Sequence, residues 1–162
     1  GDNTDYDGFK ELLNKANISL LEDKFLILGT GGASKAVYHV LKDLGINPII
    51  ASRSKTSLYY NEVITYDEVT SYKFDVVVNT TPLGMYPNTL ESPLDKNIVE
   101  GKKVIDLIYN PEKTVLMGYA KDSINGKIML IVQAIKAQNI WFNKDHKISD
   151  LLIDEIAGKF DE

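Results

Sequence analysis

Residues 24–34 read Lys24-Phe25-Leu26-Ile27-Leu28-Gly29-Thr30-Gly31-Gly32-Ala33-Ser34. The apolar run at 24–28 predicts a strand, the glycines a tight turn, and the pattern over 33–44 a helix. Strand, glycine turn and helix in that order make a corner that holds phosphate. Glycine lets the backbone turn sharply and come close to a pyrophosphate, while the free N–H groups of the helix start point at the anion. A glycine pattern alone says little; its position between a strand and a helix is what the dinucleotide fingerprint requires.

The next segment refines the ligand. Residues 47–51, Asn47-Pro48-Ile49-Ile50-Ala51, read as the second strand of a βαβ unit, extending to Ser52, and Arg53 follows its end. NAD sites usually place an acid here to accept from the ribose 2′-hydroxyl, whereas NADP sites use Arg for the 2′-phosphate. The stretch Ser52-Arg53-Ser54-Lys55-Thr56-Ser57 has two cations, four hydroxyls and no acid, a set suited to phosphate. The same residues also fit a polar loop that happens to be basic.

Outward from this corner, strands and helices alternate. A first helix runs from a Thr4 or Asp5 cap to about Ala16, with Phe9, Leu12, Leu13 and Ala16 on one face. The helix after the glycines ends near Gly45, a plausible C′ residue. Residues 63–66 read as a short third strand, with Asp67 as the cap of a brief helix. The β-branched run at 75–79 and the run at 103–109 read as buried parallel strands, the latter broken by Asn110-Pro111. Helices follow at 114–121, 127–142 and 148–160. This order predicts an α/β, doubly wound, mostly parallel sheet flanked by helices. Ligands of such sheets sit beyond the carboxyl ends of the strands. The loops after Leu28, Ala51, Asn79 and Ile108 should therefore gather at one cleft, bringing Thr80 and Tyr109 near the nucleotide.

Composition bounds the class. The chain has 162 residues, enough for one domain with a real core. A net charge of −5 argues against a nucleic-acid surface. Without cysteine there is no disulfide framework or thiol nucleophile, and His39 and His146 are too few and too separated for a metal site, so both read as structural. No apolar run reaches membrane-spanning length and no signal peptide is visible, which points to the cytoplasm.

Six motifs in order resemble those of shikimate dehydrogenases. Asn3-Thr4-Asp5-Tyr6-Asp7-Gly8 is similar to their Asn-Thr-Asp-x-x-Gly signature, and Gly29-Thr30-Gly31-Gly32-Ala33 to their phosphate loop. Ser52-Arg53-Ser54 is similar to their Asn-Arg-Thr motif. Asn79-Thr80-Thr81-Pro82-Leu83-Gly84-Met85, Asp106-Leu107-Ile108-Tyr109-Asn110-Pro111 with Thr114, and Asn125-Gly126 followed by Met129-Leu130-Ile131-Val132-Gln133-Ala134 resemble the remaining three. The resemblance implies a Rossmann-like fold and NADP-linked reduction of 3-dehydroshikimate to shikimate. It implies that Asp5 is catalytic, and that Asp5, Tyr109 and Gln133 bind substrate. Cofactor binding falls to Gly29, Thr30, Gly31, Gly32, Ala33, Ser52, Arg53, Ser54, Lys55, Thr80, Leu107 and Gly126. Leu107 takes a position often held by Met beside the nicotinamide, and Asn3 and Thr4 position Asp5.

The family also carries an N-terminal domain with a catalytic lysine, which no lysine here matches. Its frequent second arginine corresponds to Ser57, leaving Lys55 to compensate. Residues 1–162 therefore read as an NADP-binding Rossmann-like domain, a fragment of a longer protein and inactive alone. Helices 1–16 and 126–162 would face the missing domain. Met129, Ile131, Ile135, Ile140 and Trp141 would leave an apolar face exposed, with a homodimer as one outcome. Two other readings fit the same residues: an NAD-linked quinate/shikimate dehydrogenase, and a nucleotide-binding module without catalysis.

Overall fold

The computed structural model describes residues 4–143, 145 and 147–160. Asn3 and His146 lie outside the described residues. Six strands form one sheet: β1 (Phe25–Leu28), β2 (Ile49–Ser52), β3 (Ile64–Thr65), β4 (Val76–Asn79), β5 (Lys103–Asp106) and β6 (Asp122–Ile124). Their spatial order is β3-β2-β1-β4-β5-β6, and every pairing is parallel. The chain winds outward from β1 in one direction and then, from β4, in the other. The crevice at that reversal is where a doubly wound sheet takes its ligand.

Side chains alternate across the strands, so each strand feeds two cores. Phe25 and Ile27 pack with Phe9, Leu12 and Leu13 of α1 (Thr4–Lys15), Val37, Val40 and Leu41 of α2 (Gly32–Asp43), and Met129 of α5 (Lys127–Phe142). Leu26 and Leu28 point the other way, with Val77 and Val104. They meet Val69 of a 3-10 turn (Tyr66–Ser71), Val99 of α3 (Lys96–Val99), and Leu116 and Met117 of α4 (Val115–Tyr119). A third cluster joins Ile131, Val132 and Ile135 of α5 to Ile153 of α6 (Asp150–Phe160). Burial of a Leu or Phe side chain contributes roughly 1.5–3 kcal/mol, so these facing layers rather than helix propensity hold the short helices in place.

Local sequence explains most ends, and several differ from the sequence expectation. Gly45 has φ +79°; its N–H donates to Lys42 O and that of Ile46 to Leu41 O, closing α2 as expected of a C′ glycine. Thr4 and Asp5 lie inside the first turn of α1, not ahead of it. The 3-10 turn is capped by Thr65, whose N–H donates to Glu68 Oε2 at 2.9 Å, rather than by Asp67. The Ser/Thr-x-x-Glu spacing that signals this was present in the sequence. Strand β5 stops at Asp106, before Leu107-Ile108-Tyr109, and α4 runs from 115 to 119, with the Thr114 hydroxyl accepting from Met117 N–H as its cap. Of the apolar face expected on α5, Met129, Ile131 and Ile135 are buried under α1 and α6. Only Ile140 and Trp141 are exposed, at 52% and 80%. No helix among the described residues is long and apolar enough to cross a membrane.

Candidate active site

Two clefts flank the start of α2 at the carboxyl edge of the sheet. The first, about 300 Å³, is lined by Gly29, Thr30 and Gly31 of the corner, Ser52 and Arg53 after β2, Tyr66, and residues 80–83. Gly29 turns the chain with φ +103°, and its N–H donates to Ala51 O. A side chain there would collide with Thr80, whose hydroxyl lies 2.8 Å from the ideal Cβ and itself donates to Leu28 O at 2.6 Å. Gly31 and Gly32 differ: neither has positive φ, and a Cβ on either would meet nothing within 4 Å. The protein's own packing gives no reason for these two glycines. No side chain caps α2, and no acid stands in its first turn. Its first N–H groups and positive dipole end suit an anionic ligand resting on that bare backbone.

The corner is braced from behind. Ser34 donates to Gly31 O at 2.6 Å and shares a 2.8 Å hydrogen bond with the buried Tyr60 hydroxyl. His39 on α2 is hydrogen-bonded to Tyr59 in the same region. Arg53 is exposed, and among the described residues no hydrogen bond or ion pair holds its guanidinium. It lies close enough to Tyr66 to pull down a phenol that burial, the larger effect, pushes up. Lys55 does not line the cleft; it pairs with Glu68. Ser54 is exposed and accepts from Thr56 N–H.

The second cleft, about 200 Å³, collects Asp5, Ala33, Leu107, Tyr109, Gly126, Met129, Leu130 and Gln133. Gln133 Nε2 donates to Asp5 Oδ1 at 2.8 Å, tying α5 to α1. The helices approach because Gly8 has no side chain: its Cβ would sit 2.9 Å from Met129 Cγ and 3.0 Å from Met129 O. Gly126 makes a closer approach still, with a would-be Cβ 2.0 Å from Leu107 O. Tyr109 stands half-exposed at the rim. No lysine among the described residues lines this cleft, and Lys136, one helical turn beyond Gln133, is bound to Asp7 at 2.6 Å.

A buried carboxylate that sequence reasoning did not single out shapes both clefts. Asp106 is fully buried, and burial pushes its carboxyl up to about 6. Hydrogen bonds from Thr114 (2.7 Å), Ile108 N–H and Asn79 (both 3.1 Å) oppose that rise. Asn79 Oδ1 in turn accepts from Thr81 N–H and its hydroxyl, setting the 80–83 loop. One network thus fixes the loop of the first cleft and the 107–109 segment of the second. No group of three or more metal-ligating side chains occurs among the described residues.

This arrangement has close relatives. The shikimate dehydrogenase (NADP+) of Clostridium beijerinckii is 40% identical over 174 aligned positions, which span 99% of this chain and 64% of that protein. The crystal structure of shikimate dehydrogenase 1 from Peptoclostridium difficile superposes with a TM-score of 0.87 at 38% identity, covering 98% of this chain and 62% of the other. Over nearly its whole length the chain is similar in sequence and fold to shikimate dehydrogenases. A chorismate mutase/shikimate 5-dehydrogenase fusion protein from Clostridium acetobutylicum is also similar, with TM-score 0.84, 38% identity, and coverage of 98% and 61%. The chain spans a little over three fifths of the length of these shikimate dehydrogenases. No protein-family model matches the chain. Among the shikimate dehydrogenase motifs, the signature around Asp5 and the one around Gln133 meet in the second cleft. The glycine loop, Arg53 and the Thr80 loop meet in the first.

Proposed function

We propose that this chain is the cofactor-binding part of an NADP-dependent shikimate dehydrogenase, which interconverts 3-dehydroshikimate and shikimate. The observation that carries the reading is the pairing of clefts across α2: bare glycine backbone and an exposed Arg53 in one, Asp5 held by Gln133 in the other. When bound, the nicotinamide supplies or takes up the hydride. The chain's residues orient and handle charge. Gly31 and Gly32 let the backbone reach the pyrophosphate, and Arg53 forms charge-assisted bonds to the 2′-phosphate. Leu107 and Gly126 wall the nicotinamide side. Asp5 and Gln133 hold substrate hydroxyls, and the Asp5 carboxylate is placed to exchange a proton with the reacting oxygen. Tyr109 closes the rim.

A cationic partner for Asp5 and the far wall of the substrate site come, on this reading, from the remaining length that the relatives possess. The exposed end of α5, with Ile140 and Trp141, gives an apolar surface for it or for a second copy. The chain alone should turn over negligibly.

A thermal-shift titration with NADP+ and NAD+ in parallel tests the reading. A ligand that binds only the native state raises its stability by about 2.7 kcal/mol at a hundred times its Kd. Stabilisation by NADP+ at concentrations where NAD+ does little supports it. The opposite order favours the NAD-linked alternative, and normal NADPH oxidation by the chain alone with 3-dehydroshikimate refutes the division of labour.

A further inference from the structure

Lys55 stands two residues beyond Arg53, where a second cation for a phosphate would be expected. Its ammonium instead meets Glu68 Oε1 at 2.5 Å. Glu68 is fixed from the other side, its Oε2 accepting from Thr65 N–H at 2.9 Å. It belongs to the 3-10 turn whose Tyr66 shares the cleft wall with Arg53. The pair is reciprocal: the Glu68 hydrogen bond keeps the Lys55 ammonium charged to higher pH, and Lys55 holds the Glu68 carboxyl below its ordinary range.

We propose that Glu68 sets how strongly this chain distinguishes a 2′-phosphate from a 2′-hydroxyl, by opposing the phosphate. The proposal rests on the reading that Arg53 receives that phosphate. Glu68 acts in two ways that add. It neutralises Lys55, so the trio Arg53, Lys55 and Glu68 presents one net positive charge instead of two. It also holds its own negative charge close to the cleft. A 3-10 turn rises about 2 Å per residue, so Glu68 lies only a few ångströms along the turn from Tyr66. Lys55 is within about 7 Å of Arg53 along the chain. Both backbone separations are shorter than the Debye length of about 8 Å at physiological ionic strength, so salt weakens but does not abolish the field of either charge at the cleft. A surface ion pair is weak enough for Lys55 to swing away on ligand binding. Even then the carboxylate stays behind, because the Thr65 amide anchors it.

Calorimetric titration of the chain with 2′-phosphoadenosine 5′-phosphate and with AMP tests this without the nicotinamide half. Glu68→Gln keeps an oxygen for the Thr65 amide and removes the charge. It should tighten the 2′-phosphorylated nucleotide by about threefold to tenfold, leave AMP unchanged, and lose part of the gain as salt rises. No change, or equal tightening of both nucleotides, overturns the proposal. Weaker binding of the 2′-phosphorylated nucleotide also overturns it, and would make Glu68 a residue that positions Lys55. Arg53→Ala checks the reading underneath. If it costs the 2′-phosphorylated nucleotide no more than AMP, the cleft assignment falls and the proposal with it, whatever Glu68→Gln does.

Discussion

Gln133 Nε2 and Asp5 Oδ1 lie 2.8 Å apart, joining the late helix α5 to the first turn of α1. The bond engages one carboxylate oxygen of Asp5 and leaves the rest of the group to the cleft. On the proposed function, Asp5→Asn in the full-length protein should lower kcat with 3-dehydroshikimate by about 10²–10⁴-fold, the usual scale of general acid–base loss. Gln133→Ala should act mainly on KM. Neither should diminish the melting-temperature rise given by NADP+, and a lost rise would show that the two clefts are not separable in this way.

Two glycines make opposite predictions. Gly31→Ala places a methyl in open space, so stability should change by less than about 0.5 kcal/mol. NADP+ stabilisation should nevertheless be strongly reduced, because the methyl occupies the ligand's approach. Gly126→Ala drives a methyl to 2.0 Å from Leu107 O and should cost more than about 3 kcal/mol, with or without ligand. Urea unfolding of both variants, with and without NADP+, reads out all four values.

Gly8 sets the separation of α1 and α5. Gly8→Ala gains about 0.5–1 kcal/mol of helix propensity, yet meets the Met129 carbonyl at 3.0 Å. The net effect should be destabilising by about 1 kcal/mol, and Gly8→Val by more. Stabilisation by Gly8→Ala in equilibrium unfolding would mean that the contact yields freely.

Asp106 gives a pH signature. Its folded carboxyl titrates at about 6, above the 3.8 of an unperturbed group, because it is buried. Between those values the native chain keeps a proton that the unfolded chain has released. Its contribution to stability therefore falls as pH rises through roughly 4 to 6 and is flat above that window. The drop is on the order of 2–3 kcal/mol. Asp23 and Glu68 work the other way. Asp23 is lowered despite desolvation, by Ser19 N–H and Lys103, and Glu68 chiefly by Lys55, so the stability each contributes is lost as pH falls below the ordinary carboxylate range and is fully present above it. The difference between wild type and Asp106→Asn isolates the Asp106 part. A difference that does not change between pH 4 and 6.5 would mean Asp106 is ionised throughout.

The sequence made the glycine corner legible because the feature is local: an apolar strand, a turn and an amphipathic helix are contiguous in the chain. The same locality let the 127–142 helix be read with its observed bounds. Strand β6 was invisible, since Asp122-Ser123-Ile124 is short and mostly polar and only its neighbour β5 makes it a strand. Strand β5 was read too long, because Leu107-Ile108-Tyr109 continues the apolar pattern. What ends it is the hydrogen bonding of Asp106 to Asn79, Thr114 and Ile108, a relation between distant residues. Lys55 looked available because no acid lies near it in the chain; Glu68 reaches it only through the fold. Residues grouped by the family motifs were gathered into two clefts, while the supporting roles of Tyr60, outside those motifs, and of Gly8 and Asp106, within them, come from packing between distant residues.

The clasp between α1 and α5 orders events during synthesis. The described residues lining the first cleft end at Leu83, whereas the second cleft needs Gln133 to meet Asp5, 128 positions before it. A growing polypeptide emerges from its N-terminus, so the parts of the phosphate corner are all available well before the carboxamide that orients Asp5 has been made. The first cleft can thus be complete, on the ribosome, before the second has all its parts.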